Sequence, residues 1–174
     1  MSSGSNSRVR EFEEYVDYAR DMLIQRSPKK IKLFDHYLNI MREEGNEDHW
    51  IYKGKYVCRL HRSPFGGSWC GYVGVPLGHP IYEIDYNEIE KMYPDLNVHG
   101  GLTYSDFRHE WAKDNIWFVG FDTAHAFDIN LMNLSFMYMY KDMTYKDKTY
   151  VTNETNALAK QLMDIEENRK IKKK

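Results

Sequence analysis

Trp50-Ile51-Tyr52-Lys53-Gly54-Lys55-Tyr56-Val57-Cys58-Arg59-Leu60 reads as a β-hairpin. Aromatic and β-branched residues suit a pleated, half-buried surface, and the glycine between the two lysines supplies the backbone freedom of a tight link. Working outward, Trp69 to Val75 is a third strand, and Leu102 to Tyr104 and Ile116 to Phe121 offer two more. Between them, Asp85 can cap a short helix running through Glu90 or Met92, which Pro94 ends.

Helical spacing takes over on both sides of this strand region. Phe12, Tyr15, Val16, Ala19 and Leu23 recur at three- and four-residue steps, and Ser27-Pro28 then offers a cap and a first-turn proline for a second helix. That helix places Ile31, Phe34, Leu38 and Met41 on one stripe and stops at Gly45. From about Tyr145 the period is helical again, with Val151, Leu158, Leu162 and Ile165 on its apolar side. Glu154 falls on that same side, and a carboxylate there either finds a partner, a core tyrosine or arginine or a site histidine, or reaches solvent through a tilt of the helix. The expected fold class is therefore α+β, an antiparallel sheet of about four or five strands covered by N- and C-terminal helices. Residues 1–7 read as a disordered tail and 8–168 as a single domain, made of a helical pair (8–45), a sheet and site region (50–128) and a C-terminal helix (about 145–168). Residues 169–174 form a basic tail.

Charge and length narrow the classes of function. The 174 residues carry 24 basic and 26 acidic side chains, a net charge of −2, so an extended nucleic-acid surface is not expected. No apolar stretch approaches the roughly 20 residues of a membrane span, and no signal-peptide pattern opens the chain, so a cytoplasmic protein is expected. Cys58 and Cys70 do not make a disulfide framework and should be reduced and dispensable. Cys58-x-x-His61 with Cys70 and His79 can be written as a zinc set, but the wide second spacing fits poorly, and two small core residues are the better reading of the thiols.

Histidines, glycines and acids collect into three phrases, each where an apolar run ends. The first runs from Gly71-Tyr72-Val73-Gly74-Val75 to Pro76-Leu77-Gly78-His79-Pro80. The second is Val98-His99-Gly100-Gly101-Leu102-Thr103-Tyr104-Ser105, and the third runs from Trp117-Phe118-Val119-Gly120-Phe121 to Asp122-Thr123-Ala124-His125-Ala126-Phe127-Asp128. In the third, two carboxylates bracket a histidine at three-residue steps, which suits a general base with an orienting acid or a divalent-metal ligand set, although polar residues at a strand exit are often only turn caps. In the second, the glycines can present backbone N–H groups to an anionic oxygen, against the plainer reading of a glycine turn. A lipase-type His-Gly-Gly reading fails because Gly66-Gly67-Ser68-Trp69-Cys70 lacks the last glycine of a nucleophile elbow. His79, between Gly78 and Pro80, either walls a pocket or packs on Tyr82. The aromatics near these phrases, and the soft apolar run from Leu131 to Tyr140, read first as core.

Together with Tyr145-Lys146-Asp147-x-x-Tyr150-Val151-x-x-Glu154, these phrases resemble a family of small proteins of unknown function encoded by bacteriophages and bacteria. The resemblance covers roughly residues 55–165 and leaves the N-terminal helices outside. It implies a phage provenance, hence a host cytoplasm, and a set of site candidates, but no activity. Family members carry Gly where this chain has Phe127 and Cys where it has Thr123.

Two functions fit these residues. One is a hydrolase of a small polar or nucleotide-like molecule, in which His99, His125 and Asp122 act on water with or without a divalent metal. His79, Gly100, Gly101, Thr103, Tyr104, Asp128 and Glu154 would then contact the ligand or support the catalytic groups. The other is a protein that sequesters a small signalling ligand or engages a host protein. Val98 and Phe121 each end an apolar run, so neighbouring strands are expected to deliver His99, His125 and Asp122 to one accessible pocket. A homo-oligomer is compatible with either function.

Overall fold

The computed structural model describes residues 3–112, 115–136 and 141–172. Among them the element order is α1 (Ser3–Arg26), a 3₁₀ turn (Pro28–Lys30), α2 (Ile31–Glu44), β1 (Glu47–Tyr52), β2 (Tyr56–Arg62) and β3 (Trp69–Val75). There follow α3 (Tyr86–Met92), β4 (Tyr104–Phe107), β5 (Trp117–Asp122), α4 (Leu131–Phe136) and α5 (Lys148–Lys172). The five strands form one antiparallel sheet in the order β1-β2-β3-β5-β4, and with the helices this is an α+β fold. The described residues divide into two compact units. The first takes in Met1–Glu47, His61–Trp69 and Thr123–Lys148, and the second Asp48–Leu60, Cys70–Asp122 and Thr149–Lys174.

The first unit is helical. Phe12, Val16, Ala19 and Leu23 of α1 join Phe34, Leu38 and Met41 of α2, the stripes anticipated from their spacing, and Leu131 and Leu134 of α4, read from sequence only as core, in one buried cluster. Two details differ from the sequence reading. Helix α1 begins at Ser3, inside the segment read as a tail. The Ser27 side chain makes no cap hydrogen bond, and Pro28 opens a 3₁₀ turn in which the Lys30 N–H donates to the Ser27 carbonyl. A buried ionic cluster then ties α2 to β2 and to the chain after α4. Arg62, whose side chain is 1% exposed, donates to the Gly45, Gly67 and Met41 carbonyls and to Glu44 Oε2 at 2.9 Å. The same carboxylate accepts from Trp69 Nε1, the Tyr145 hydroxyl and the Lys148 N–H. Burial pushes the Glu44 carboxyl upward, but these donors outweigh it and hold it below the usual carboxylate value.

The second unit is the sheet with α3 and α5. At the hairpin link Lys53 and Gly54 both have positive φ (50° and 68°), the geometry that lets a two-residue turn follow the strand twist. Strand β3 is buried along nearly its whole length, as expected of a central strand, and pairs with β5 from Cys70 opposite Asp122 to Val75 opposite Trp117. Helix α5 lies against the sheet through Val151, Thr155, Leu158 and Leu162, all buried. It is also hydrogen-bonded to the hairpin, by Trp50 Nε1 to Asn156 and by the Tyr56 hydroxyl to Glu166. A methyl group at Gly71 would run into Thr155 and the Phe121 ring, so the bare glycine sets how closely helix and sheet approach. Strand β4 starts two residues later than read from sequence, because Gly100 and Gly101, both at positive φ, turn the chain before Tyr104 joins the ladder opposite Gly120.

Candidate functional site

Strand β5 ends at Asp122, and β4 begins beside that end. The Thr103 N–H donates to the Gly120 carbonyl, and the Thr103 hydroxyl donates to Asp122 Oδ2 at 2.9 Å. Thr103 and Asp122 thus meet at one edge of the sheet, but Val98, read as the end of an apolar strand run, lies in the loop between α3 and β4, so His99 reaches this edge from a turn and not from a strand. His99 lies in the turn leading into that edge, and α5 holds it from two sides. Glu154 Oε2 accepts the His99 N–H at 2.9 Å, and the Tyr150 hydroxyl is 3.0 Å from His99 Nδ1, with the two rings edge to face. The anticipated partner of Glu154 is thus a site histidine, contacted through its backbone. Tyr150 was not singled out from sequence, although it sits four residues before Glu154 and hence on the same helix face.

Glycine N–H groups offered to a ligand oxygen do not survive at Gly101. Its N–H closes a turn on the Val98 carbonyl, and the next N–H, of Leu102, donates to Glu90. The glycines serve the turn, and a Cβ at Gly101 would also press on Glu90. Tyr104 stands edge-on to Tyr72 and accepts from Arg108 Nε at 2.6 Å. His79 is a structural histidine. It is 3% exposed, its Nε2 is 2.9 Å from the Leu162 carbonyl and its Nδ1 accepts the Ile81 N–H. The neutral tautomer with hydrogen on Nε2 satisfies both contacts and leaves no lone pair for a metal, which removes His79 from the zinc reading. Its ring meets Tyr56 edge to face. Cys58 and Cys70 are unbridged, and burial pushes each thiol up to about 12, far from a reactive thiolate.

In the helical unit, residues 125–128 form a tight turn in which the Asp128 N–H returns to the His125 carbonyl. The three-residue step brings the two side chains together. Asp128 Oδ2 accepts the His125 N–H at 3.1 Å and lies 3.2 Å from its Nδ1. The carboxylate is held in turn, since Phe127 and Ile129 bracket it in backbone hydrogen bonds to Thr144, and Asn133 donates to the Asp128 carbonyl. The Asp128 side chain is 3% exposed and that of His125 38%, so an almost buried acid supports an accessible imidazole. A carboxylate oxygen accepts, so the hydrogen of this contact sits on Nδ1, and in the neutral imidazole the lone pair is then on Nε2. Chemically this is a base with an orienting acid.

Comparison of the chain with protein-family models, with curated proteins and with solved structures returned no match.

Proposed function

We propose that this chain is a bacteriophage-type hydrolase acting on a small polar or nucleotide-like molecule, with His125 as the general base that activates water and Asp128 as the residue that orients it. The supporting observation is the His125–Asp128 pair itself: a buried carboxylate fixes the tautomer of an accessible imidazole within one turn. His99, steadied by Glu154 and Tyr150, and Asp122, steadied by Thr103, are the further catalytic candidates, each argued from its own surroundings.

The test is a thermal-shift screen of nucleotides, cyclic dinucleotides and nicotinamide derivatives, followed by chromatography of every stabilising compound after incubation. Assays run with and without added Mn²⁺ or Zn²⁺, since imidazole and carboxylate are ligands such ions take. The expected outcome is a converted compound whose turnover is lost in folded His125→Ala and falls at least about a hundredfold in Asp128→Asn. His99→Ala and Asp122→Asn form separate arms. A compound returned intact at one equivalent bound supports the sequestering reading instead, and folded His125→Ala with full activity removes the assigned base.

A further inference from the structure

A cleft of about 220 Å³ opens in the helical unit between the start of α1 and the ends of β1 and β2, and it shares no residue with the His125–Asp128 turn. Arg8, His61 and Glu47 line it, with Val9 and Phe12 as its apolar wall. Arg8 Nη1 is 2.6 Å from His61 Nε2. A guanidinium donates and never accepts, so His61 Nε2 must be the acceptor and the imidazole neutral there. The Arg8 charge is therefore positioned by a hydrogen bond without being neutralised. Arg62, the neighbouring cation, already lies in its ion pair with Glu44.

Glu47 gives the cleft its second charge. It is exposed on the edge strand, and among the described residues neither Glu47 nor Arg8 has an ion-pair partner. Opposite charges on one small cleft, each unpaired and too far apart to pair with the other, are satisfied together by a ligand that carries both signs. The volume lies below the roughly 300–1,000 Å³ of pockets for drug-sized ligands, which selects a compact molecule. We infer that this cleft binds a free α-amino acid with an apolar side chain, its carboxylate on Arg8, its ammonium toward Glu47 and its side chain on Val9 and Phe12. This site goes beyond the hydrolase reading and does not depend on it.

The probe is L-leucine, titrated into the ¹⁵N-labelled full chain and followed by backbone amide shifts, beside 4-methylpentanoate, which lacks the ammonium, and 3-methylbutylamine, which lacks the carboxylate. Leucine is expected to give saturable shifts at Val9, Phe12, Glu47 and His61, and each single-charge analogue to bind about tenfold or more weakly. Arg8→Gln and Glu47→Gln should each weaken leucine by a similar factor while the rest of the spectrum stays as in the parent. Arg8→Lys, which keeps the charge, should retain most of the binding. Analogues that bind as well as leucine, glutamine variants that bind it unchanged, or no saturable shift at tens of millimolar leucine would each overturn the assignment.

Discussion

Glu44 illustrates how one carboxylate can organise a fold. It takes hydrogen bonds from an arginine, a tryptophan, a tyrosine and a backbone N–H, and its arginine partner is almost wholly out of water. Removing one member of such a pair strands the other, so Glu44→Gln should cost about 3 kcal/mol in urea unfolding at neutral pH. Because the folded carboxyl titrates below its unfolded value, its contribution is fully present above about pH 4.3 and is lost as pH falls through the folded value. The acid limb of the stability curve should accordingly flatten in Glu44→Gln, and a variant with the parent's stability and acid limb would show the cluster to be incidental. Tyr150 permits a narrower measurement. Tyr150→Phe removes the hydrogen bond at His99 Nδ1 and should move the ¹⁵N chemical shift of that ring nitrogen, at a stability cost of about 1 kcal/mol. An unmoved His99 Nδ1 resonance would show that Tyr150 only packs there.

At the scale of the element, the seat of α5 on β3 depends on Gly71. Gly71→Ala forces a methyl against Thr155 and Phe121, so helix or strand must shift, at a cost of about 1–3 kcal/mol. Gly54→Ala is its control, since nothing lies within 4 Å of the Cβ there and only its positive φ is strained. A Gly71→Ala variant as stable as the parent would show that helix and strand do not depend on this close approach. The elements themselves were largely legible. The hairpin, β3, β5, α3 with its Asp85 cap, and the stripes of α1, α2 and α5 follow from period and punctuation in the residues quoted for them. Where the reading slipped, the local pattern was incomplete: Leu102 and Thr103 look like strand, but the glycine turn delays the ladder to Tyr104, and Ser27 stands before Pro28 like a cap although its side chain makes no cap hydrogen bond.

Across the whole molecule, the two thiols report on opening. Cys58 is fully buried on the sheet and Cys70 is partly covered, and both are held as thiols at neutral pH. A water-soluble disulfide reagent should label Cys58 no faster than the protein unfolds, and should reach Cys70 first. Rapid stoichiometric labelling of Cys58 under native conditions would mean that the sheet opens far more readily than its burial implies. No helix among the described residues is long and apolar enough to cross a membrane.

By itself the sequence determined the α+β class, the main strand spans, the helix stripes, and the phrases from which polar side chains emerge. These depend on neighbours within a few positions, where spacing and residue type act directly. Pairing between His125 and Asp128 was legible for the same reason, since a three-residue step in a tight turn admits little else. Only the tertiary structure decided that His79 is a buried structural residue, that Gly101 turns its N–H inward, that Tyr150 and Glu154 reach His99, and that Glu44 gathers donors from across the chain. Each of these joins residues tens of positions apart, or depends on which groups lose water when the chain packs, and no local pattern encodes which distant partner will meet a polar group once it is buried.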